Sequence, residues 1–273
     1  MQKKFLIIDQ GYYRDNNLAS LVVNDPQVRF IIPDVAFIEM CKSNSWENTI
    51  RQSLKFLSGA PNRVYAGISV GEAIRFEIKN RQSSNGHLIC RRFTPIVRSL
   101  LKEIRSGING SAFAKFHSEV GIIREELTKE ALNHQQNLMT LTELVEATRD
   151  SLEKDILKSL RNGSITGEEI TKLALLSAPN LMSQFFEMVN FPKNRITSFL
   201  KTKPLAFRLI LLIFWWSLDW IAQGGLESLP AKKATNDFLD QEYVLIATFF
   251  HGILSKDNRI NQAYKAMQCM LKN

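Results

Sequence analysis

The chain has 273 residues, of which 45% are hydrophobic and 23% are charged. This composition is typical of a globular protein and excludes a disordered chain, a collagen-like repeat and a small disulfide scaffold. Lysine and arginine number 35 against 27 aspartates and glutamates, so the net charge is +8. A basic balance favours a polyanionic partner, although solubility alone would also explain it.

Short apolar runs separated by helical patterns occupy the first part of the chain. Lys4–Ile8 and Val28–Ile32 are typical of buried strands, and residues 63–68 form a third candidate. Pro33 opens a predicted helix over 35–42, and the spacing of residues 44–47 indicates a capping box for the next helix. Strands that alternate with helices predict an α/β fold with a central, mostly parallel sheet.

The middle of the chain is helical in pattern and lacks a convincing strand. Helix starts are predicted at the capping boxes Thr140–Glu143 and Thr166–Glu169, and breaks at Gly163, Pro179, Pro192 and Pro204. The α/β pattern returns near residue 232, with a helix over 236–251, a strand over 253–255 and a final helix from Asp257 to 271. We therefore predict an α/β domain over 1–106 and 232–273 that carries a helical insertion over 107–231.

The most apolar segment, at about 205–222, resembles a membrane span only superficially. Its uninterrupted apolar run extends from Leu209 to Trp216 between Arg208 and Asp219, whereas a spanning helix needs about 20 apolar residues. It predicts a helix buried in the core or in a subunit interface, and the insertion's last helix is a candidate to pack with the α/β domain. The three cysteines are odd in number and far apart, which favours a reduced compartment. We expect a cytoplasmic protein that does not use a membrane.

Acidic residues lie at positions where acids are unfavourable or where a ligand would bind. Asp9 ends an apolar strand, and Glu39 lies among apolar neighbours. Asp237 and Asp240 are three residues apart on one helix face, and Asp257 follows an apolar strand. If the first and last strands are parallel neighbours, Asp9 and Asp257 emerge together at their carboxyl ends, where α/β proteins bind ligands.

Four of these acids also have a specific, simpler structural explanation. Asp9 would serve as a turn residue, Asp237 and Asp240 would favour a helix dipole, and Asp257 would act as an N-cap. In one pocket, however, these carboxylates would repel one another, and a divalent cation relieves that repulsion. Hard carboxylate oxygens suit Mg²⁺ or Mn²⁺, and the lack of a histidine or cysteine cluster in the sequence argues against zinc.

The order of these acids resembles the PIN-like nuclease superfamily. The similar pieces are Phe5-Leu-Ile-Ile-Asp9, Ile32-Pro-Asp-Val-Ala-Phe-Ile-Glu39 and Asn236-Asp-Phe-Leu-Asp, continued by Gly252-Ile-Leu-Ser-Lys-Asp257. The resemblance covers the two ends of the chain and not its middle. It implies a three-layer α/β/α sandwich and an endonuclease dependent on one or two Mg²⁺ or Mn²⁺ ions. The sequence departs from the family at Gln10-Gly11, where threonine or serine followed by asparagine is frequent.

Carried over by position, the resemblance implies that acidic residues are the catalytic metal ligands. It leaves open whether Asp237, Asp240 or both bind the metal ion. The candidates are Asp9, Glu39, Asp237, Asp240 and Asp257. Basic residues would supply sequence-independent, salt-sensitive contacts to phosphates, or would simply form a solvated face. The candidates for that role are Arg91, Arg92, Lys232, Lys233, Lys256 and Arg259.

These observations together predict a metal-dependent endonuclease that hydrolyses phosphodiester bonds by attack of a metal-activated water. RNA is the favoured nucleic-acid partner because it is the more common target of the family. Two alternatives stay open, namely a structure-selective DNA nuclease and a non-catalytic PIN-like module that binds nucleic acid or protein. A homodimer and an inhibitory or regulatory protein partner are compatible with the sequence, which specifies neither.

Overall fold

The computed structural model describes residues 3–42, 45–119, 121, 134–224 and 231–272. The chain divides into two compact units. The first unit comprises Met1–Ser69, Gly86–Leu132 and Glu242–Asn261, and the second comprises Val70–Asn85, Asn133–Gln241 and Gln262–Asn273. The predicted domain boundaries near residues 106 and 232 stay a prediction, because compactness does not distinguish an inserted segment from the domain that carries it.

A parallel four-stranded sheet lies in the first unit, in the order β3-β2-β1-β4. Its strands are β1 (Lys4–Ile8), β2 (Val28–Ile32), β3 (Val64–Ala66) and β4 (Ile253–Leu254). Ile7 pairs with Ile31 on one side and with Ile253 on the other. The predicted strands are confirmed, with β3 and β4 shorter than expected. The first and last strands are parallel neighbours, which meets the condition under which Asp9 and Asp257 emerge together. The chain is an α/β protein.

In chain order, the helices of the described residues are α1 (Asn16–Asn24), α2 (Asp34–Cys41), α3 (Trp46–Leu54), α4 (Val70–Asn80), α5 (Phe93–Ser106), α6 (residues 111–119), α7 (His134–Asp150), α8 (Lys154–Arg161), α9 (Gly167–Met188), α10 (Lys193–Lys201), α11 (Leu205–Ala222), α12 (Ala231–Ala247) and α13 (Asn258–Lys272). The helix predicted over 236–251 is α12, which begins and ends earlier than expected.

Local sequence signals located some helix ends correctly and misplaced others. The capping box of Thr166 and Glu169 is confirmed at the start of α9. Thr140–Glu143 lies inside α7, so the helix start predicted there is wrong, because this short spacing also occurs within helices. Pro179 lies within α9 and does not end it. Asn44 of the proposed box at 44–47 lies outside the described residues.

The sheet provides the buried centre of the first unit. Ile7, Ile8, Phe30, Ile31 and Ile32 are all completely buried. A strand buried on both faces reads as a continuous apolar run, which is the pattern that β1 and β2 show in the sequence. The carboxyl ends of β1 and β4 therefore leave the core side by side.

The apolar helix α11 belongs to the second unit. It is long and apolar enough to cross a membrane by length and composition alone, and 61% of it is buried. Trp215, Trp216 and Trp220 are among its buried side chains. The prediction of a buried helix is thus confirmed.

A buried carboxylate from another helix caps the start of α11. Glu77 on α4 is completely buried and accepts hydrogen bonds from the backbone N–H groups of Leu205, at 2.8 Å, and Ala206, at 3.0 Å. It also accepts from the N–H and the hydroxyl of Ser84, at 2.8 and 2.9 Å. The first N–H groups of a helix lack partners within the helix, and Glu77 supplies acceptors for two of them.

Candidate functional site

Asp9 directly follows β1 at the carboxyl end of the sheet. Its side chain is buried, and Oδ2 accepts a hydrogen bond of 2.7 Å from the hydroxyl of Ser255. Ser255 follows β4, the parallel neighbour of β1, so the pairing of these strands brings the two residues together. Burial raises the pKa of Asp9, and the Ser255 hydrogen bond opposes that shift.

Asp257 is linked to Asp9 through Ser255. The backbone N–H of Asp257 donates to the Ser255 hydroxyl at 3.0 Å, and the Asp257 charge contributes to the raised pKa of Asp9. Its own Oδ1 accepts from the N–H groups of Arg259, at 2.7 Å, and Ile260, at 3.2 Å. Asp257 therefore caps α13, in agreement with the N-cap role that was its simpler structural explanation. Its exposed carboxylate is also close enough to Asp9 to raise the pKa of Asp9.

Glu39 on α2 is held by a tyrosine from the opposite end of the chain. The hydroxyl of Tyr243, in the part of α12 that belongs to the first unit, donates to Glu39 Oε2 at 2.6 Å. Lys42 Nζ lies 3.9 Å from Oε1. Burial raises the pKa of Glu39, and the Asp9 charge adds to that rise. Asp9, Glu39 and Asp257 thus form a chain of electrostatically coupled carboxylates within the first unit.

The other two predicted acids belong to the second unit. Asp237 is buried, and its Oδ2 accepts a hydrogen bond of 2.9 Å from Trp220 Nε1. Asp240 lies one turn further along α12 and is half-buried. Of the five candidate ligands, Asp9, Glu39 and Asp257 share the first unit, whereas Asp237 and Asp240 do not.

Three of the six predicted basic residues have protein contacts that the structure shows. Lys256 Nζ lies 2.5 Å from Asp15 Oδ2, and Arg92 lies 2.6 Å from Glu119 Oε2, in both cases with the cation largely exposed. Lys233 Nζ lies 4.8 Å from the centre of the Trp220 ring. Arg91 is exposed, Arg259 is half-buried, and the side chain of Lys232 lies outside the described residues. Exposed surface ion pairs are weak, so Lys256 and Arg92 remain available to a phosphate.

The first unit contains a second acidic pair that was not expected. Burial and the nearby Asp34 carboxylate raise the pKa of Glu242 to about 8. Glu242 follows Gln241 in α12 and directly precedes Tyr243. Glu242 lies in the same helix as the candidate ligands Asp237 and Asp240, and this position was visible in the sequence. Its partner Asp34 is far away in the sequence, so the pair itself was not.

The donor chemistry of the first unit suits a hard divalent cation. Asp9, Glu39 and Asp257 offer carboxylate oxygens, the ligand type preferred by Mg²⁺ and Mn²⁺. Among the described residues, no group of three or more histidine, cysteine, aspartate or glutamate side chains is drawn together closely enough to hold a metal ion. Carboxylates repel one another, so full convergence of such a group would itself require a cation.

The residues that position these acids were not identified as site residues from the sequence. Ser255 was visible only as part of the Ser-Lys-Asp sequence, and Tyr243 follows Asp240 by three residues. A third, Tyr13, is completely buried, and its pKa lies well above the usual value because of burial and the charges of Asp9 and Glu39. Comparisons with protein-family models, with curated proteins and with solved structures returned no match.

Proposed function

We propose that this chain is a PIN-like endonuclease, dependent on Mg²⁺ or Mn²⁺, that hydrolyses phosphodiester bonds with RNA as its favoured substrate. The observation that carries the proposal is the coupled set of Asp9, Glu39 and Asp257 at the carboxyl end of a parallel sheet. Ligands of α/β proteins bind at this end of the strands. A carboxylate that is kept buried without an opposing cation is unfavourable, and such groups concentrate at functional sites.

Each carboxylate has its own support from the fold. Ser255 orients Asp9 through one short hydrogen bond and receives the N–H of Asp257, so a single hydroxyl sets the spacing of two acids. Tyr243 fixes one oxygen of Glu39 and leaves Oε1 towards Lys42. When bound, a divalent cation would activate water and neutralise charge on the phosphate.

Asp9, Glu39 and Asp257, which all belong to the first unit, would hold that cation. Ligating carboxylates are commonly hydrogen-bonded to neighbouring groups that orient them, as Ser255 and Tyr243 are to Asp9 and Glu39. Lys256, next in sequence to Ser255 and Asp257, would contact the backbone of the nucleic acid.

Cleavage of end-labelled RNA and DNA, each single- and double-stranded, tests the proposal. The assay is run with Mg²⁺, with Mn²⁺ and with EDTA. Wild-type protein should cut RNA only with metal, and Asp9→Asn should reduce cleavage by at least about 100-fold because it removes a charged ligand. Asp155→Asn is the matched control, since Asp155 is an exposed acid on α8 of the second unit.

The substrate arms separate the alternatives. Cutting that requires a DNA flap or end would replace RNA with DNA as the substrate. Folded wild-type protein that cuts no substrate and binds no Mn²⁺ by calorimetry would contradict the proposal. Binding of RNA without cutting, in the same absence of Mn²⁺ binding, would support the non-catalytic module.

A further inference from the structure

The hydroxyl of Tyr13 lacks a hydrogen-bond partner among the described residues, although the side chain is completely buried. Burying a hydroxyl without a partner costs about 1–3 kcal/mol. Such groups are rare in folded proteins, and each calls for a physical explanation. Replacing the hydroxyl by hydrogen would remove this cost, so packing alone gives no reason for a tyrosine at this position.

The surroundings of this hydroxyl are acidic. Burial raises the pKa of Tyr13, and the charges of Asp9 and Glu39 raise it further, so the phenol keeps its proton and remains a hydrogen-bond donor. Tyr13 also contributes to the raised pKa of Tyr243, the tyrosine that already donates to Glu39. A buried donor without a partner in the described part of the chain is therefore close enough to two carboxylates for their charges to act on it, and each carboxylate has spare lone pairs.

The two carboxylates differ in the polar groups that already favour their charged forms. Asp9 accepts a hydrogen bond of 2.7 Å from Ser255, and the nearby backbone N–H groups of Gln10 and Gly11 also act to lower its pKa. Glu39 accepts one short hydrogen bond, from Tyr243, and has Lys42 3.9 Å away. Glu39 is therefore the carboxylate with more capacity to accept a further donor.

We propose that Tyr13 is a positioning residue whose hydroxyl donates a hydrogen bond to Glu39 when Asp9 and Glu39 are drawn together around a divalent cation. This inference rests on the proposed function. Tyr13 and Tyr243 would then hold Glu39 between two phenols, and the free donor would gain its acceptor only in the cation-bound state. Tyr13 is completely buried, so its hydroxyl would act through Glu39.

Tyr13→Phe tests this inference because it removes the hydroxyl and keeps the ring. We expect the thermal midpoint of the metal-free protein to be unchanged or slightly raised, since no hydrogen bond is lost. We expect the Kd for Mn²⁺, measured by titration calorimetry on the full chain, to rise about 10-fold or more, as is typical when a partner of a metal ligand is removed. Tyr12→Phe is the matched control, because Tyr12 is the neighbouring and only partly buried tyrosine.

Tyr243→Phe provides the opposite pattern for comparison. It removes a hydrogen bond that exists without metal, so it should lower both the thermal midpoint and the affinity for Mn²⁺. Tyr13→Phe that behaves in this way would overturn the inference, because its hydroxyl would then have a partner in the metal-free protein.

Two further results are distinguishable. Wild-type protein that binds Mn²⁺ with the same Kd as Tyr13→Phe overturns the role of Tyr13 and leaves the nuclease proposal intact. Wild-type protein that binds no Mn²⁺ overturns both. An increased Kd in Tyr13→Phe with an unchanged Kd in Tyr12→Phe supports the inference.

Discussion

Glu77 in the second unit and Glu39 in the first are both helical glutamates whose carboxylates are largely shielded from water, and they differ in their hydrogen-bond donors. Glu77 accepts four hydrogen bonds between 2.8 and 3.0 Å. Glu39 accepts one short hydrogen bond, and its pKa is raised by burial. A carboxylate saturated with donors stabilises the fold around it, whereas one with few donors keeps lone pairs available for a ligand.

Glu103 of the first unit extends the comparison. Its carboxylate accepts from the N–H groups of Gly110, Ala112 and Phe113, at 3.1, 2.9 and 2.9 Å, and so caps the start of α6. Burial alone would raise its pKa, but these three donors outweigh burial and lower it. The number of donors, more than the degree of burial, therefore separates Glu77 and Glu103 from Glu39.

The largest effect is expected from Glu77→Ala. It would leave buried N–H groups without an acceptor and remove the negative charge close to Arg208, whose pKa burial already lowers to about 10. We expect a loss of about 3–5 kcal/mol in the free energy of unfolding, as for other buried charges that lose a partner. Urea unfolding followed by tryptophan fluorescence measures this loss, since α11 carries three tryptophans of the second unit.

Glu168→Ala is the matched control for this change. Glu168 is an exposed glutamate at the start of α9 that pairs with Lys172 at 3.2 Å, and exposed pairs of this type contribute about 0.2–1 kcal/mol. Equal effects of the two changes would break the distinction between saturated and solvent-exposed carboxylates.

An intermediate effect is expected at the start of α6. A Cβ added to Gly110 would lie 2.3 Å from Glu103 Oε1, so Gly110→Ala must displace the carboxylate that caps the helix. We expect Gly110→Ala and Glu103→Ala each to cost about 0.5–2 kcal/mol, the range for a lost helix cap. Their combination should cost less than the sum, because both remove the same contact.

The pH dependence of Glu103 provides an independent measurement. Because the folded state lowers its pKa, its contribution to stability is present above the unfolded pKa and is lost as the pH falls through the folded pKa. Urea midpoints between about pH 3 and pH 6 should therefore fall less steeply in Glu103→Gln than in the wild type. Identical slopes would show that the three N–H contacts do not favour the charged form.

The smallest effect, of opposite sign, is expected for Glu39→Gln. The amide keeps an oxygen that can accept from Tyr243 and removes a buried charge, so the free energy of unfolding without metal should rise by up to about 1 kcal/mol. A thermal melt in EDTA measures this as an increase of about 2–4 °C per kcal/mol. Added Mn²⁺ should stabilise the wild type and not this variant. A loss of more than about 1 kcal/mol would instead place Glu39 with Glu77 among the structural carboxylates.

Much of the architecture was predictable because its signals are local. The apolar runs of β1 and β2, the capping box of α9 and the buried character of α11 each depend on residues close together in the chain. The parallel pairing of β1 with β4 was only a condition in the sequence argument, and the structure supplies it, so that Asp257 lies close enough to Asp9 to act on its pKa.

Other features were misjudged for an equally physical reason. The spacing of Thr140 and Glu143 matches a capping box, but α7 extends through it, and α9 continues through Pro179. A local preference of about 1 kcal/mol for a cap is easily outweighed by the burial of a helix face. The beginnings and ends of helices were thus less predictable than the helices themselves.

The sequence by itself determined the α/β class, the two central strands and the acids that follow them, because hydrophobic periodicity and strand ends depend on residues that are close together in the chain. The tertiary structure alone decided which carboxylates receive donors. Ser255 reaches Asp9 across 246 residues, Tyr243 reaches Glu39 across 204, and Leu205 reaches Glu77 across 128. Hydrogen bonds between such distant residues depend on how the chain packs, and no local pattern records them.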